Sequence, residues 1–181
     1  MDKIFEVHER ANEMMFEYLW PEFQAEHQFE GQYGLDFRFN YDIFTYVGDY
    51  KFNSQPMNQY DDNKGLLLEP TKLDKFKEHK DTIGLYIRFC IDGVAIMNVN
   101  KFDPEKYKHT WNESWVEKTQ MDKSNRQKEV GWHIPSTDPI WQIQKYTPSQ
   151  VRYHSKVLKW KEDTINQIQR SNAMDVFNKF F

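Results

Sequence analysis

The chain has 181 residues and a formal net charge of −4, with 39% hydrophobic and 29% charged residues. This length fits a single domain, and no apolar run approaches the roughly 18 residues that a membrane-spanning helix needs. The charged N-terminus lacks the apolar segment of a secretory signal, and a single cysteine, Cys90, cannot form an intramolecular disulfide. We therefore expect a cytoplasmic protein. Scarce glycine beside abundant Asn, Lys, Tyr and Phe is typical of a microbial or viral AT-rich genome.

The first part of the chain predicts a helix followed by two strands. Apolar residues at helical spacing predict a helix over residues 2–24, in which Pro21 indicates a kink or an early end. Alternating polar and apolar residues predict strands over residues 33–40 and 43–53. A turn is expected between them at Asn40-Tyr41-Asp42.

A buried hairpin is predicted in the middle of the chain. Residues 54–70 are expected to form a loop, and residues 71–79 a short charged helix. Residues 83–91 are almost all apolar, as in a strand that is buried on both faces. Asp92-Gly93 predicts a hairpin turn before a returning strand over residues 94–99. The side chains expected in the core are Ile83, Leu85, Ile87, Phe89, Ile91, Val94, Ile96 and Val99.

The last part of the chain is predicted to be mainly helical. A helix is expected over residues 104–119, and the polar residues 120–128 are expected to form a loop. Residues 130–134 predict a short strand. Pro148, which follows a capping threonine, predicts the start of a long helix over residues 148–170.

Asp36, Asp49 and Lys51 form the most informative constellation. Asp49 and Lys51 are two residues apart in a predicted strand, so their side chains point to the same face, and Asp36 lies in the neighbouring strand. Two converging carboxylates are oxygen ligands suited to a hard cation such as Mg²⁺. A nearby ammonium group can orient or deprotonate a water and stabilise a developing phosphorane charge. The pattern therefore indicates cleavage of phosphodiester bonds.

Two alternatives stand beside this interpretation. Asp and Lys also alternate on strand faces that are simply solvated, so the tripeptide at residues 49–51 has little specificity by itself. Asp42 also precedes Asp49 at the start of a strand and is an alternative first acid. We favour Asp36, because a hairpin places it beside Asp49, whereas Asp42 falls at the turn.

The order of predicted elements and this constellation resemble the PD-(D/E)XK nuclease superfamily. Its shared core is αβββαβ, with a metal-binding Asp on the second strand and (D/E)-x-K on the third, matched here by Asp36, Asp49 and Lys51. The resemblance implies an α/β (α+β) fold of the restriction-endonuclease-like type, with a mixed central sheet and flanking helices. It also implies a single nuclease-like domain over residues 1–181. The core would span residues 1–102, and residues 103–181 would form a C-terminal helical extension packed on it.

Site roles follow from the resemblance. Asp36 and Asp49 would bind Mg²⁺ or Mn²⁺, and the backbone carbonyl of Tyr50 would add a ligand. Lys51 would position or activate the attacking water. Because an acid of the first helix often adds to the metal site in this superfamily, Glu9 and Glu13, which lie one turn apart, are considered as further ligands, with Glu13 as the additional candidate. The alternative is a solvated helix face.

Candidate substrate contacts lie outside the motif. Gln55, four residues beyond Lys51, is a candidate contact to the substrate or to the attacking water. Basic residues along the last predicted helix are candidate contacts to nucleic-acid phosphates, namely Arg152, Lys156 and Lys159. The alternative is that Gln55 is simply an exposed loop residue and that the basic residues lie on an ordinary solvated face of the helix.

The sequence therefore predicts a Mg²⁺- or Mn²⁺-dependent endo- or exonuclease that hydrolyses DNA, with nucleic acid and no membrane among its partners and a homodimer as one candidate assembly. The alternative is a non-catalytic interaction protein with an α+β fold that binds a partner or host protein. Convergence of Asp36, Asp49 and Lys51 in one cleft discriminates between the two.

Overall fold

A computed structural model describes residues 3–31, 34–62, 65–117 and 126–180 of the chain. The helices within these residues are α1 (Lys3–Leu19), α2 (Met57–Asp62), α3 (Pro70–Glu78), α4 (Pro104–Tyr107) and α5 (Pro148–Phe180). The strands are β1 (Glu26–His27), β2 (Phe37–Tyr41), β3 (Phe44–Phe52), β4 (Leu66–Leu68), β5 (Ile83–Phe89), β6 (Gly93–Asn98), β7 (Trp111–Glu117), β8 (Arg126–Ile134) and β9 (Trp141–Lys145). Short 3₁₀ turns lie at Pro21–Phe23, Val99–Lys101 and Lys108–Thr110.

A mixed sheet in the order β1-β2-β3-β5-β6-β9 forms the centre of the fold. Its neighbouring strands are antiparallel except for β3 and β5, which run parallel. Parallel neighbours need a crossover connection, which α2, β4 and α3 supply here. A second, antiparallel sheet has the order β4-β8-β7. The predicted class, a mixed central sheet with flanking helices, is therefore confirmed.

Different elements cover the two faces of the central sheet. On one face, Phe16 of α1 and Val157 of α5 join a cluster of aromatic side chains from β2, β3 and β5. On the other face, Trp132 of β8 and Phe76 of α3 join Tyr86 of β5 in a second cluster. Strand β5 is apolar almost throughout because both of its faces are covered.

Helix α1 forms because its apolar residues recur on one face. Ile4, Val7, Ala11 and Met15 are all buried, and their spacing of three or four residues gives one stripe toward the core. The helix ends at Leu19, before a proline that has no backbone N–H to donate. Of the two outcomes predicted for Pro21, the early end is therefore the one observed.

Both predicted hairpins are present, and the core prediction is half confirmed. Strands β2 and β3 pair antiparallel, as do β5 and β6. The buried members of the predicted core are Ile87, Phe89, Val94 and Val99. The partly buried members are Ile83, Leu85, Ile91 and Ile96. Buried side chains on the opposite face of β5, including Arg88, complete its packing.

The helix predicted over residues 104–119 is wrong. Helix α4 ends at Tyr107, and residues 111–117 form strand β7, paired with β8. Long-range pairing of this kind overrides a local helical pattern, because strand preference depends on neighbours in space.

Two further regions differ from the prediction. The loop expected over residues 54–70 contains α2 and β4, and β4 is buried because it pairs with β8. The strand expected over residues 130–134 begins at Arg126, and residues 118–125 lie outside the described residues. Strand β9 was not predicted, and it adds the region after residue 102 to the central sheet. That region is therefore more than a helical extension.

Among the described residues, the search for a helix long and apolar enough to cross a membrane finds none.

Candidate functional site

The site lies where strand β3 continues beyond the end of its partner β2. Pairing of the two strands ends at Phe37 and Gly48, so residues 49–52 have a strand neighbour, β5, on one side only. Asp36 precedes β2, and its Oδ2 accepts a hydrogen bond of 3.0 Å from the backbone N–H of Tyr50. The carboxylate thereby satisfies a donor that would otherwise lack a partner at this edge.

Three carboxyl groups meet beside this edge. Asp36 and Asp49 are both buried and line the same cavity. Glu9 of α1 is also buried and lines the same cavity. Burial raises the pKa of Glu9 to about 7, with a further contribution from the charge of Asp49. Burial, and then the charge of Asp49, likewise raise the pKa of Asp36 well above its usual range. The carboxyl groups therefore destabilise one another when all are ionised.

Lys72 of α3 supplies a positive charge beside these carboxyl groups. Its Nζ forms an ion pair with Oδ1 of Asp49 and donates a hydrogen bond of 3.1 Å to the carbonyl of Gly34. Burial lowers the pKa of Lys72, but the charges of Asp49 and Asp36 outweigh burial, and the net pKa is raised. Lys72 therefore stays protonated. Its charge offsets that of Asp49.

Lys51 lies at the more accessible side of the same cavity. Its Nζ is 3.4 Å from Oε2 of Glu69, which immediately precedes α3. Burial raises the pKa of Glu69, but the charges of Lys51 and Arg88 outweigh burial and lower it overall. The Lys51 side chain is 41% exposed, whereas that of Asp49, two residues earlier, is 2% exposed. Lys51 is therefore the member of this pair that an incoming molecule can reach.

The cavity has a volume of about 350 Å³. Its walls come from α1, the end of β3, α3 and α5. The structure thus brings Asp36, Asp49 and Lys51 together in one cleft, and Tyr50 lines it as well. Every carboxylate and amide oxygen here is a hard ligand of the kind that Mg²⁺ and Mn²⁺ accept.

The other candidate residues lie in different places. Asp42, the alternative first acid, is exposed in the β2–β3 turn with a φ of 55°. Glu13 is buried, but it accepts hydrogen bonds from Arg10 at 2.9 Å and from Gln28 at 3.1 Å. Gln55 is in the turn after β3, where its carbonyl accepts a hydrogen bond from the backbone of residue 91. These three residues are outside the set that lines the cavity.

The basic residues predicted to contact nucleic acid are exposed on α5. Arg152, Lys156 and Lys159 all point to solvent, and Arg152 donates a hydrogen bond of 3.1 Å to Ser149. None of the three lines the cavity, so any contact that they make to a substrate is outside it.

Comparisons with known proteins and a search for ready-made metal sites both gave negative results. Protein-family models, curated protein sequences and solved structures provide no match to this chain. Across the described residues, no group of three or more His, Cys, Asp or Glu side chains is arranged to hold a metal ion. The Lys72 ammonium group occupies a position next to Asp49 that such a cation would share.

Of the two acids of the first helix that the sequence brought forward, the structure places Glu9 in the cavity and Glu13 outside it. Two lysines of the cavity, Lys72 and Lys161, were not singled out in the sequence. Lys72 gave no local signal, since α3 carries several lysines. Lys161 was recognisable as a lysine within the apolar stripe of α5, where His154, Val157 and Ile165 are also buried.

Proposed function

We propose that this chain is a metal-dependent nuclease that hydrolyses phosphodiester bonds of DNA. The observation that supports the proposal is one cleft lined by three buried carboxyl groups and three lysines, Lys51, Lys72 and Lys161. Grouping buried carboxyl groups raises their pKa and costs folding free energy, so their presence calls for a compensating ligand. A divalent cation is the ligand that removes this cost most directly.

The cleft supplies oxygen donors of the type that Mg²⁺ and Mn²⁺ bind, and binding an ion would have to draw these side chains closer together. Asp36 and Asp49 would hold the cation, with the backbone carbonyl of Tyr50 and the carboxylate of Glu9 as further oxygen donors. When bound, such a cation would polarise the phosphate and lower the pKa of a ligated water. With a cation bound to Asp49, Lys72 would neutralise only the part of the Asp49 charge that the cation leaves.

Lys51 has the position and chemistry of the group that handles the attacking water. Its ammonium group lines the cavity, is accessible, and has Glu69 as a charge partner that holds it at 3.4 Å. It can orient a water and stabilise negative charge that develops on the phosphate. Because Glu69 keeps its negative charge, it can hold the Lys51 ammonium group at the cavity.

The finer fold assignment belongs to the same proposal. The order α1, β1, β2, β3, α3, β5 is that of the αβββαβ core of the PD-(D/E)XK superfamily. Asp36 immediately precedes the second strand of this series, and Asp49 and Lys51 lie on the third. We therefore propose a restriction-endonuclease-like core, to which α2 and β4 are additions.

The test is a cleavage assay on single- and double-stranded DNA and RNA with Mg²⁺ or Mn²⁺, run beside Lys51→Ala. We expect Lys51→Ala to lose at least about 100-fold in rate, the cost of removing one group that stabilises transition-state charge. Calorimetry with Mn²⁺ should detect binding to Lys51→Ala and none to Asp36→Asn combined with Asp49→Asn. Wild-type protein that neither binds a divalent ion nor cuts any of these substrates would refute the proposal.

The interaction-protein alternative also has a supporting observation. Exposed apolar side chains lie near the C-terminal end of α5, where Met174, Val176 and Phe177 are each more than half exposed. Exposed apolar patches mark binding surfaces in many soluble proteins. This alternative would become the better account if the cleavage and metal-binding tests both failed.

A further inference from the structure

Lys161 of α5 is a buried lysine in the wall of the cleft. The buried residues of this part of α5 are His154, Val157, Lys161 and Ile165, which share one face of the helix by their spacing. Lys161 is 8% exposed and lines the same cavity as Asp36 and Asp49. An apolar residue would be the ordinary occupant of such a position. The lysine therefore needs an explanation beyond packing.

The contacts of Lys161 do not account for its burial. Over the described parts of the chain, Lys161 forms neither an ion pair nor a hydrogen bond, and its Nζ lies 5.2 Å from the centre of the Phe52 ring. A cation–π contact contributes about 0.5 to 2 kcal/mol. The effective penalty for burying an ion is several kcal/mol. Burial accordingly lowers the pKa of Lys161. The protein thus keeps a poorly compensated cation at the cavity wall.

The Phe52 ring beside the Lys161 ammonium group is itself held in place by a stacked ring. The Phe52 ring stacks on His154, with ring centres 4.3 Å apart and an interplanar angle of 11°. Phe52 directly follows Lys51, so the ring ties the catalytic end of β3 to α5. Because burial lowers the pKa of His154 to about 4, its ring is neutral near pH 7 and adds no competing charge. The Lys161 ammonium is therefore held in place without being neutralised.

A second polar group of the cavity also lacks a partner. Asn12 of α1 is 4% exposed, and its Oδ1 is buried without a hydrogen bond in the described structure. It lines the cavity together with Lys161. Buried polar atoms are nearly always satisfied, so an unsatisfied one at a cavity wall is typical of a ligand site. This oxygen is an acceptor, so a hydroxyl group or a water of the ligand would complete it, whereas a phosphate oxygen would not.

From this juxtaposition we infer that Lys161 binds a non-bridging phosphate oxygen of the nucleic-acid strand that enters the cavity. This inference rests on the proposed nuclease function and adds a substrate-binding group from α5 to it. An anionic oxygen supplies the partner that Lys161 lacks, and a charge-assisted bond to it is strong because the site is desolvated. The exposed residues Arg152, Lys156 and Lys159 cannot replace it, since they lie outside the cavity.

The test compares Lys161→Met with Lys179→Met, a matched control that removes an exposed lysine from the same helix. Methionine keeps the length of the side chain and suits the apolar stripe. Binding of a short fluorescent single-stranded DNA is measured by anisotropy with Ca²⁺ in place of Mg²⁺, at several salt concentrations. Lys161→Met should bind roughly 10- to 100-fold more weakly, the loss expected for one charged hydrogen bond. The slope of the logarithm of the binding constant against the logarithm of salt concentration should become less steep by about 0.7, the value for one phosphate contact on single-stranded DNA.

The controls separate this inference from the proposed function. Lys179→Met should bind the DNA within about twofold of wild type, because an exposed lysine outside the cavity contributes little. Lys161→Met should bind Mn²⁺ as wild type does by calorimetry, since a lysine ligates no cation. Lys161→Met that binds DNA as well as wild type would overturn the inference while leaving the nuclease proposal intact. Wild type that cuts nothing, yet binds DNA through Lys161, would refute the nuclease proposal and keep this phosphate contact.

A second measurement covers the case in which Lys161→Met fails to fold. Wild-type protein is treated briefly with an amine-acylating reagent, with and without the DNA, and the modified lysines are identified by mass spectrometry. Bound DNA should protect Lys161 at least about fivefold and leave Lys179 unprotected, because a bound phosphate shields the amine from the reagent. Equal labelling of Lys161 with and without saturating DNA would overturn the inference.

Discussion

Two cavities of nearly equal size border strand β3, and their chemistry is opposite. The cleft at the end of β3 has about 350 Å³ and is lined by Glu9, Asp36 and Asp49 with lysines. The second cavity has about 320 Å³ and is lined almost entirely by apolar and aromatic side chains, including Phe16 and Phe39. Aromatic rings are stabilised by burial, whereas grouped charges are destabilised by it. Changes in the second cavity should therefore unfold the protein, and changes in the first should mainly abolish its function.

The largest stability effect is expected from Phe16→Ala in the aromatic cavity. Phe16 is 2% exposed, and its ring contacts those of Trp20, Phe37 and Phe39 at centre distances of 5.1, 4.9 and 5.9 Å. Removing the ring should cost about 3 to 5 kcal/mol of unfolding free energy in urea denaturation. Tyr41→Ala, on the exposed rim of the same cavity, should cost less than about 1 kcal/mol. Equal unfolding midpoints for Phe16→Ala and Tyr41→Ala would contradict the expectation that the aromatic cavity stabilises the fold.

His154 should make the protein less stable in acid. Burial lowers its pKa to about 4 from an ordinary value of 6.5, so the unfolded chain binds the proton more tightly than the folded one. Stability from His154 is thus complete above about pH 6.5 and is lost as pH falls toward 4, by about 3 kcal/mol. The difference in urea unfolding free energy between wild type and His154→Phe should change by this amount from pH 7 to pH 4. His109→Gln, which removes an exposed histidine, should change it little.

Glu9→Gln should stabilise the metal-free protein. The pKa of Glu9 is raised to about 7 from 4.5, so ionising it opposes folding above about pH 7, less so between 4.5 and 7, and not at all below. At pH 8 the substitution should add about 1 to 3 kcal/mol to the unfolding free energy, and at pH 4.5 it should add nothing. Glu6→Gln, on the exposed face of α1, should be neutral at both values. A destabilised Glu9→Gln at pH 8 would show that the charged cleft supports the fold.

The smallest stability effect is expected from Lys51→Ala. The ion pair of Lys51 with Glu69 is partly exposed on both sides, and such pairs contribute about 0 to 1 kcal/mol. Thermal unfolding should therefore change by only a few degrees at most. A loss of more than about 2 kcal/mol would mean that any loss of cleavage by this variant reflects unfolding rather than chemistry.

Sequence reasoning succeeded where local signals were strong. Alternating residues and the Asp92-Gly93 turn located both hairpins, and Pro21 marked the end of α1. It failed over residues 104–119, because strand β7 exists only through its pairing with β8. The two-residue spacing of Asp49 and Lys51 placed both side chains on the cavity. The two side chains differ in solvent exposure, because Asp49 lies deeper in the fold than Lys51.

The sequence by itself determined helix α1, the β2–β3 and β5–β6 hairpins and the placement of Asp36 next to Asp49 and Lys51. These features depend on periodicity and turn residues, which act over a few positions of the chain. Only the tertiary structure decided which groups complete the cleft. Glu9, Lys72 and Lys161 come from three helices that are far apart in the chain, and they meet because each helix packs its apolar face against the sheet. Burial of these charges, which sets their pKa values, is likewise a property of the packed molecule alone.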